Sequence, residues 1–293
     1  MRLSRQYVKL CDIADFEDPE LLDVLRDLLP EREPVAHAER KVWEFAMCVL
    51  FLREAGRLTE GTEALAVGAG DERILFWLAN HIGRVVATDI YGTGDFADQE
   101  ADRTMLDDPA SHAPFPYRHD RLEVLWMDGR ELEFPDESFE VVFSISSLEH
   151  FGAGPEVARA AREMGRVLRP GGHAFIATEC YVRKHPLNSI PVDLVLKALS
   201  LGRLRRRATF RRRAGVDVFT WGEIVRYIVE PSGLELVQPV DREISRESWT
   251  NLAKTRPGQE LIPRTGSRWP QILLSFRGSV FTSVSLALVK PRR

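Results

Sequence analysis

The sequence predicts an α/β fold: a doubly wound, mostly parallel, seven-stranded Rossmann-like sheet with N-terminal helices. Three observations predict it. Strand-like and helix-like patterns alternate from residue 62 onward, and most connections between them are short. The first strand-like run ends in the turn Val67-Gly-Ala-Gly70. Arg169-Pro-Gly-Gly172 then separates a helical pattern from another strand.

Each strand is predicted from a short run rich in β-branched and other apolar residues. The seven predicted strands are 65–67, 85–89, 122–127, 139–145, 174–178, 234–240 and 281–288. Helices are predicted between them at 73–80, 157–168 and 221–229.

Residues 1–60 are predicted to form an N-terminal helical cap. Helices are expected from Pro19 to Leu29 and from about His37 to Gly56, where apolar residues recur three and four positions apart. Two interpretations stay open, a helical layer on the sheet edge and a cap over a ligand pocket. Residues 61–293 would form the main domain, with acceptor-side insertions at about 92–120, 180–218 and 241–278.

Composition narrows the function classes. The net charge of −4 argues against a nucleic-acid partner, and 44% apolar residues suit a globular protein. Three widely spaced cysteines predict no disulfide framework and no zinc site. The densest apolar run, 42–52, is too short to span a bilayer and contains Glu44. We therefore expect a soluble, cytoplasmic protein.

The glycine turn points to a nucleoside ligand. Gly68 and Gly70 allow close backbone approach, and Asp89 follows about twenty residues later, a spacing that suits a carboxylate binding ribose hydroxyls. A dinucleotide would need a third glycine to bring its pyrophosphate to the helix, yet this chain has Arg73 there. S-adenosylmethionine has no pyrophosphate. The pattern favours this methyl donor over a nicotinamide cofactor.

Further motifs follow in a specific order: Val86-Ala-Thr-Asp89, Met127 to Asp136, Phe139 to His150 and Glu163 to Gly172. Over about residues 60–180 and the final strands, the chain resembles the class I S-adenosylmethionine-dependent methyltransferases. The likeness is greatest to their small-molecule branch, including those that accompany glycosyltransferases.

The resemblance implies donor contacts at the ends of four strands. They are Gly68 and Gly70 at the methionine end, Asp89 at the ribose, Ile90, Asp128 and Gly129 at the adenine, and Ser144 with Ser146 beside the sulfonium. An alternative stays open for the two aspartates, in which each of them only caps a turn. Two positions depart from the pattern, because many relatives have an acid at Ala66 and a glycine at Glu72. Glu72 either points into the helix layer, or the donor is held differently, through its ammonium.

The acceptor side carries a candidate base. His150 follows the fourth strand, where it would take the proton from an alcohol acceptor, although a structural histidine is equally consistent. Glu149, Glu179 and His185 are weaker candidates. The residues at 146–148 lack the clustered carboxylates of a metal-assisted transfer, so no metal is predicted.

An arginine-rich run, residues 203–213, lies between the fifth strand and the next helix. Arg205, Arg206 and Arg207 suit recognition of phosphate or carboxylate, although a solvated loop is the alternative. The sequence thus predicts methyl transfer to an oxygen, or less readily a nitrogen, of a small or glycan-type anionic acceptor. Contact with an anionic membrane surface stays open. The alternative is a non-catalytic relative that binds the donor or a protein partner.

Overall fold

The computed structural model describes residues 3–31, 33, 39–94, 97, 99–185, 218–254, 272–276 and 278–292. Its centre is one mixed sheet. The ten strands are β1 (Lys9–Leu10), β2 (Glu63–Val67), β3 (Arg84–Asp89), β4 (Leu122–Trp126), β5 (Phe139–Ile145), β6 (Leu168–Arg183), β7 (Glu235–Leu236), β8 (Ala253–Lys254), β9 (Leu274–Phe276) and β10 (Ser279–Val289). Within these residues no helix is long and apolar enough to cross a membrane.

The strand order is β4-β3-β2-β5-β6-β10-β9-β8, while β1 and β7 also pair with β10. The pairs from β4 to β6 are all parallel, and β10 runs antiparallel to β6. The predicted doubly wound α/β class is confirmed, and each of the seven predicted strands is present. The sheet is larger than predicted, because β1, β8 and β9 add to its margin. These strands are only two or three residues long, too short for a periodic sequence signal.

The helices described are α1 (Pro19–Leu28), α2 (Arg40–Glu54), α3 (Arg73–His81), α4 (Thr104–Asp107), α5 (Gly154–Val167), α6 (Trp221–Ile224, continued by a π-helical segment Val225–Val229 and by Glu230–Ser232) and α7 (Arg246–Thr250). Asp18 starts α1, since its side chain accepts from the backbone N–H groups of Glu20 and Leu21. Thr220 and Glu223 form a capping box at the start of α6.

Helix α2 is buried on all sides, rather than on one wide face as its pattern predicts. Every residue from Val42 to Leu52 is buried, and the helix contacts α1, β6 and β10. It therefore packs on the sheet, while its N-terminal end reaches the carboxyl edge of the sheet, and the choice between a helical layer and a ligand cap stays open. The division at residue 60 stays a prediction.

Strand β6 starts earlier than predicted. Helix α5 ends at Val167 and Leu168 already pairs with Phe139, after which the register shifts until His173 pairs with Val141. Gly171 has φ +75°, a value that favours glycine, and makes this detour within the strand. The region 241–278, predicted to be irregular, contains α7, β8 and β9 among its described residues.

Candidate functional site

The carboxyl ends of β2, β3 and β5 meet at the point where the strand order reverses. The chain leaves β2 through α3 toward β3, and leaves β5 through α5 toward β6, so the two connections diverge. Open α/β sheets bind ligands in the crevice at such a reversal. The glycine turn lies there, with φ +67° at Gly68 and +51° at Gly70.

Asp89, the last residue of β3, closes this turn. One of its carboxylate oxygens accepts from the N–H of Gly70 at 2.9 Å and the other from the N–H of Ile90 at 2.7 Å. Burial raises the pKa of Asp89, while these two donors act in the opposite direction. A carboxylate has about four lone-pair positions, so both oxygens can still accept from ribose hydroxyls.

The glycine turn also packs against the loop that follows β5. A Cβ on Gly68 would lie 1.9 Å from Oγ of Ser147, and one on Gly129 would lie 2.6 Å from the Phe151 ring. Both glycines are therefore required by their own chain. Sequence reasoning assigned them only to a ligand and missed Phe151.

Asp128 follows β4, as predicted, and its carboxylate accepts hydrogen bonds from the Arg130 side chain. The guanidinium of Arg130 donates through Nε at 2.9 Å to Oδ1 and through Nη2 at 2.6 Å to Oδ2. These bonds lower the pKa of Asp128. Arg130 Nη1 also donates to the carbonyl of Phe151 at 3.4 Å. The predicted adenine-side residue is thus joined to the loop after β5 by an arginine that the sequence reasoning did not identify.

Two serines at the end of β5 differ in their surroundings. Ser144 Oγ is buried and has no hydrogen-bond partner within the described part of the chain. Ser146 has φ +47° and donates to the Glu44 carboxylate at 2.6 Å. His150 ends a short 3₁₀ helix, Leu148–His150, and its side chain is exposed.

Charged side chains from α2 meet acids from three other elements at this edge of the sheet. We call this set the α2 charge cluster; its members are Arg40, Lys41, Glu44, Glu72, Glu149 and Glu179. Arg40 donates to Glu179 at 2.5 Å, and Lys41 pairs with Glu72 and donates to the carbonyl of Ile145 at 3.2 Å. Within this cluster the Glu72 carboxylate points toward α2, where it pairs with Lys41.

Two acids in the α2 charge cluster have raised pKa values. Burial, with the nearby Glu179 carboxylate, raises the pKa of Glu149 to about 8, and Thr178 Oγ1 donates to Glu149 at 2.7 Å. Burial also raises the pKa of Glu72, although the Lys41 ammonium opposes this. The cluster has four acids and two bases, so an acid in it is readily kept neutral.

Comparisons with known proteins agree with this geometry. A family model described as a methyltransferase domain matches residues 65–176, which contain the glycine turn, Asp89, Asp128 and β5. These residues carry a methyltransferase domain, and the predicted resemblance to the class I S-adenosylmethionine-dependent methyltransferases is confirmed. The chain is 28% identical over 209 residues to the methyltransferase GfsG of Streptomyces halstedii, an alignment that covers 71% of this chain and less than two thirds, 63%, of GfsG.

Other similar proteins cover more of their own length. A protein of Mycolicibacterium smegmatis named "probable S-adenosylmethionine-dependent methyltransferase" is 25% identical over 239 residues, 79% of this chain and 84% of its own. Among solved structures, geranyl diphosphate C-methyltransferase of Streptomyces coelicolor, in complex with Mg²⁺, geranyl diphosphate and S-adenosyl-L-homocysteine, has a TM-score of 0.49 and 15% identity. That match covers 99% of this chain and 92% of the other.

The residues at the strand-order reversal fit S-adenosylmethionine. The glycine turn lies at the strand-order reversal, and the Asp89 carboxylate can accept further hydrogen bonds. On β5, the buried Oγ of Ser144 has no hydrogen-bond partner among the described residues. The predicted donor residues on β3, β4 and β5 thus lie at one edge of the sheet, as their strand positions require. Arg205, Arg206 and Arg207 lie outside the described residues. No group of three potential metal-ligating side chains occurs among the residues described.

Proposed function

We propose that this protein transfers a methyl group from S-adenosylmethionine to an oxygen of a small or glycan-type anionic acceptor. The choice of S-adenosylmethionine as the donor rests on Asp89, whose carboxylate closes the glycine turn at the strand-order reversal. This arrangement offers a ribose-binding carboxylate and a close backbone approach, with no demand for a pyrophosphate.

Little acid–base chemistry is required beyond alignment. When bound, the donor supplies a methyl carbon already activated by its sulfonium. The protein's part is to hold the acceptor atom in line with that carbon, which can supply most of the acceleration. For an alcohol acceptor, an imidazole nitrogen of His150 would take the hydroxyl proton as the new bond to carbon forms. The side chain of His150 is exposed at the carboxyl edge of the sheet, where an acceptor can approach it.

An oxygen acceptor is supported by the name of one relative. The 27-O-demethylrifamycin SV methyltransferase of Amycolatopsis mediterranei is 43% identical over 53 residues, 18% of each chain. A phosphatidylethanolamine N-methyltransferase of Cereibacter sphaeroides is 36% identical over 80 residues. Nitrogen is therefore the alternative acceptor atom. The anionic character of the acceptor rests on Arg205, Arg206 and Arg207 in the sequence. Reversing their charge should weaken acceptor binding and reduce its dependence on salt; unchanged values of both would remove this part of the proposal.

A non-catalytic role had Glu72 as its supporting feature, because an unpaired acid beside the turn would repel the donor carboxylate. Glu72 is paired with Lys41 instead, so this feature no longer favours the alternative. Titration with S-adenosylmethionine and its demethylated product would still distinguish binding without turnover from catalysis.

The test of the proposal is uptake of labelled methyl. The wild-type protein is incubated with methyl-labelled donor and fractions of a cell extract, and the fraction that takes up label is characterised by hydrolysis and mass spectrometry. His150→Ala should slow turnover on that acceptor by about 100-fold, and leave donor affinity within about twofold. A full rate over the whole pH range would rule out His150 as the base. Absence of label in every fraction, with intact donor binding, would favour the non-catalytic alternative.

A further inference from the structure

The ion pair between Lys41 and Glu72 lies at the strand-order reversal itself. Lys41 is in the first turn of α2, and its ammonium contacts both the Glu72 carboxylate and the carbonyl of Ile145, the last residue of β5. Glu72 is the N-cap residue of α3, two positions after Gly70. The pair therefore joins the end of the glycine turn to the end of β5, across the crevice between the diverging connections.

The pair is accessible on one side. The Lys41 side chain is 39% exposed, whereas that of Glu72 is 11% exposed. An ammonium has three donors, and the two contacts above leave one for a ligand carboxylate. A ligand entering the crevice would thus meet Lys41 first and the Glu72 carboxylate behind it.

The residues in and directly after the glycine turn differ in their charges and contacts. The stretch from Ala64 to Gly70 has no acidic side chain. Of the two acids that follow, Asp71 contacts Nδ1 of His112 at 3.2 Å and is turned toward the 92–120 region. Of these two acids, Glu72 is therefore the one whose carboxylate lies beside Lys41 at the crevice.

The amino-acid end of the donor has both charges on one carbon, a carboxylate and an ammonium. We propose that the Lys41–Glu72 pair holds this end, with Lys41 receiving the carboxylate and Glu72 the ammonium. The assignment rests on the proposed donor. It places opposite charges together at both contacts, so that no buried charge is left without a counter-charge when the ligand is bound. It also explains how the chain binds the donor with Ala66 in place of an acid and Glu72 in place of a glycine.

The test compares two ligands that differ only at this end. S-adenosylhomocysteine has the amino-acid end, whereas 5′-deoxy-5′-methylthioadenosine has the same nucleoside and sulfur without it. Isothermal titration is performed on the full chain, as wild type, Lys41→Met and Glu72→Gln. Each substitution should weaken S-adenosylhomocysteine binding about 10- to 100-fold and change methylthioadenosine binding by less than about threefold.

Arg40→Met is the matched control. Arg40 is adjacent to Lys41 on α2 and also joins the helix to the sheet, through Glu179 on β6. It should leave the affinities for both ligands within about threefold, because it is not part of the proposed pair. Glu72→Gln changes charge with almost no change in size, so it tests the assignment even if Lys41→Met fails to fold.

Three outcomes would overturn the assignment. Equal losses for the two ligands would show that the pair only supports the fold of the crevice. Unchanged S-adenosylhomocysteine affinity in both variants would show that the amino-acid end binds elsewhere. A wild-type protein that binds neither ligand would overturn the proposed function, and this assignment with it.

Discussion

Replacing Glu149 with glutamine should change how the stability of the protein depends on pH. Glu149 is 2% exposed, and its pKa is raised from 4.5 to about 8 by burial and by the Glu179 and Glu44 carboxylates, while Lys41 is the nearby cation. Between these two pKa values the folded state keeps a proton that the unfolded state releases. Raising the pH through this window therefore favours unfolding, and the contribution of Glu149 to the free energy of unfolding falls.

The slope for one such group is about 1.4 kcal/mol per pH unit. Between about pH 5.5 and pH 8 the wild type should lose at most about 3 kcal/mol through Glu149, a loss that Glu149→Gln avoids. The amide keeps an oxygen that can accept from Thr178 Oγ1. The variant should therefore be close to the wild type at the acidic end and more stable than it at the alkaline end.

Urea unfolding followed at five pH values measures this difference, because the midpoint multiplied by the slope gives the free energy of unfolding at each pH. Glu131→Gln is the control, since Glu131 is an exposed acid paired with Arg159 on the surface. It should follow the wild-type pH dependence. Parallel curves for the wild type and Glu149→Gln would refute the reasoning, because they would mean that Glu149 is ionised in the folded state throughout this range.

Two further predictions concern the donor site and the packing of the helices. Asp89→Ala removes the acceptor of two backbone N–H groups and of the proposed ribose contact, so S-adenosylhomocysteine binding measured by calorimetry should weaken at least about 100-fold; an affinity within threefold of wild type would contradict the ribose assignment. Gly165→Ala would place a Cβ 1.9 Å from the carbonyl oxygen of Ser232, and should lower the free energy of unfolding by about 1–3 kcal/mol in a urea titration. Gly222→Ala is its control and should change stability by less than about 1 kcal/mol, because nothing lies within 4 Å of the added atom; equal effects would show that the Gly165 contact is not what limits packing.

Structural features could be predicted where the residues that indicate them lie close together in the sequence. Strand β2 and the turn after it could be predicted because apolar residues, glycines and the N-terminus of a helix follow one another within ten positions. The place of Asp89 at the end of β3 could be predicted from the strand-like run that it ends, whereas its contact with ribose stays a prediction. The mostly parallel pairing of the sheet follows from the alternation of strands and helices.

The partners of the buried charges could not be predicted. Glu44 looks like an interruption of an apolar helix, yet it is buried because Ser146 and Ser283 donate to its two oxygens. Lys41 gives no signal by itself, since its partner Glu72 is 31 residues away in the sequence. Such pairings depend on how the helix docks, and one sequence contains no local pattern for docking.

Strand β10 has a consequence for how the site is assembled. It pairs with β1 and β6, and its residue Ser283 donates to Glu44, 239 positions earlier in the chain. Closing so long a loop costs entropy that only the completed sheet repays, so such contacts form late in folding. The contacts of helix α2 with β10 therefore form only after residues 279–289 have been synthesised. During synthesis the glycine turn is complete well before the last strand that packs against the helix carrying Lys41.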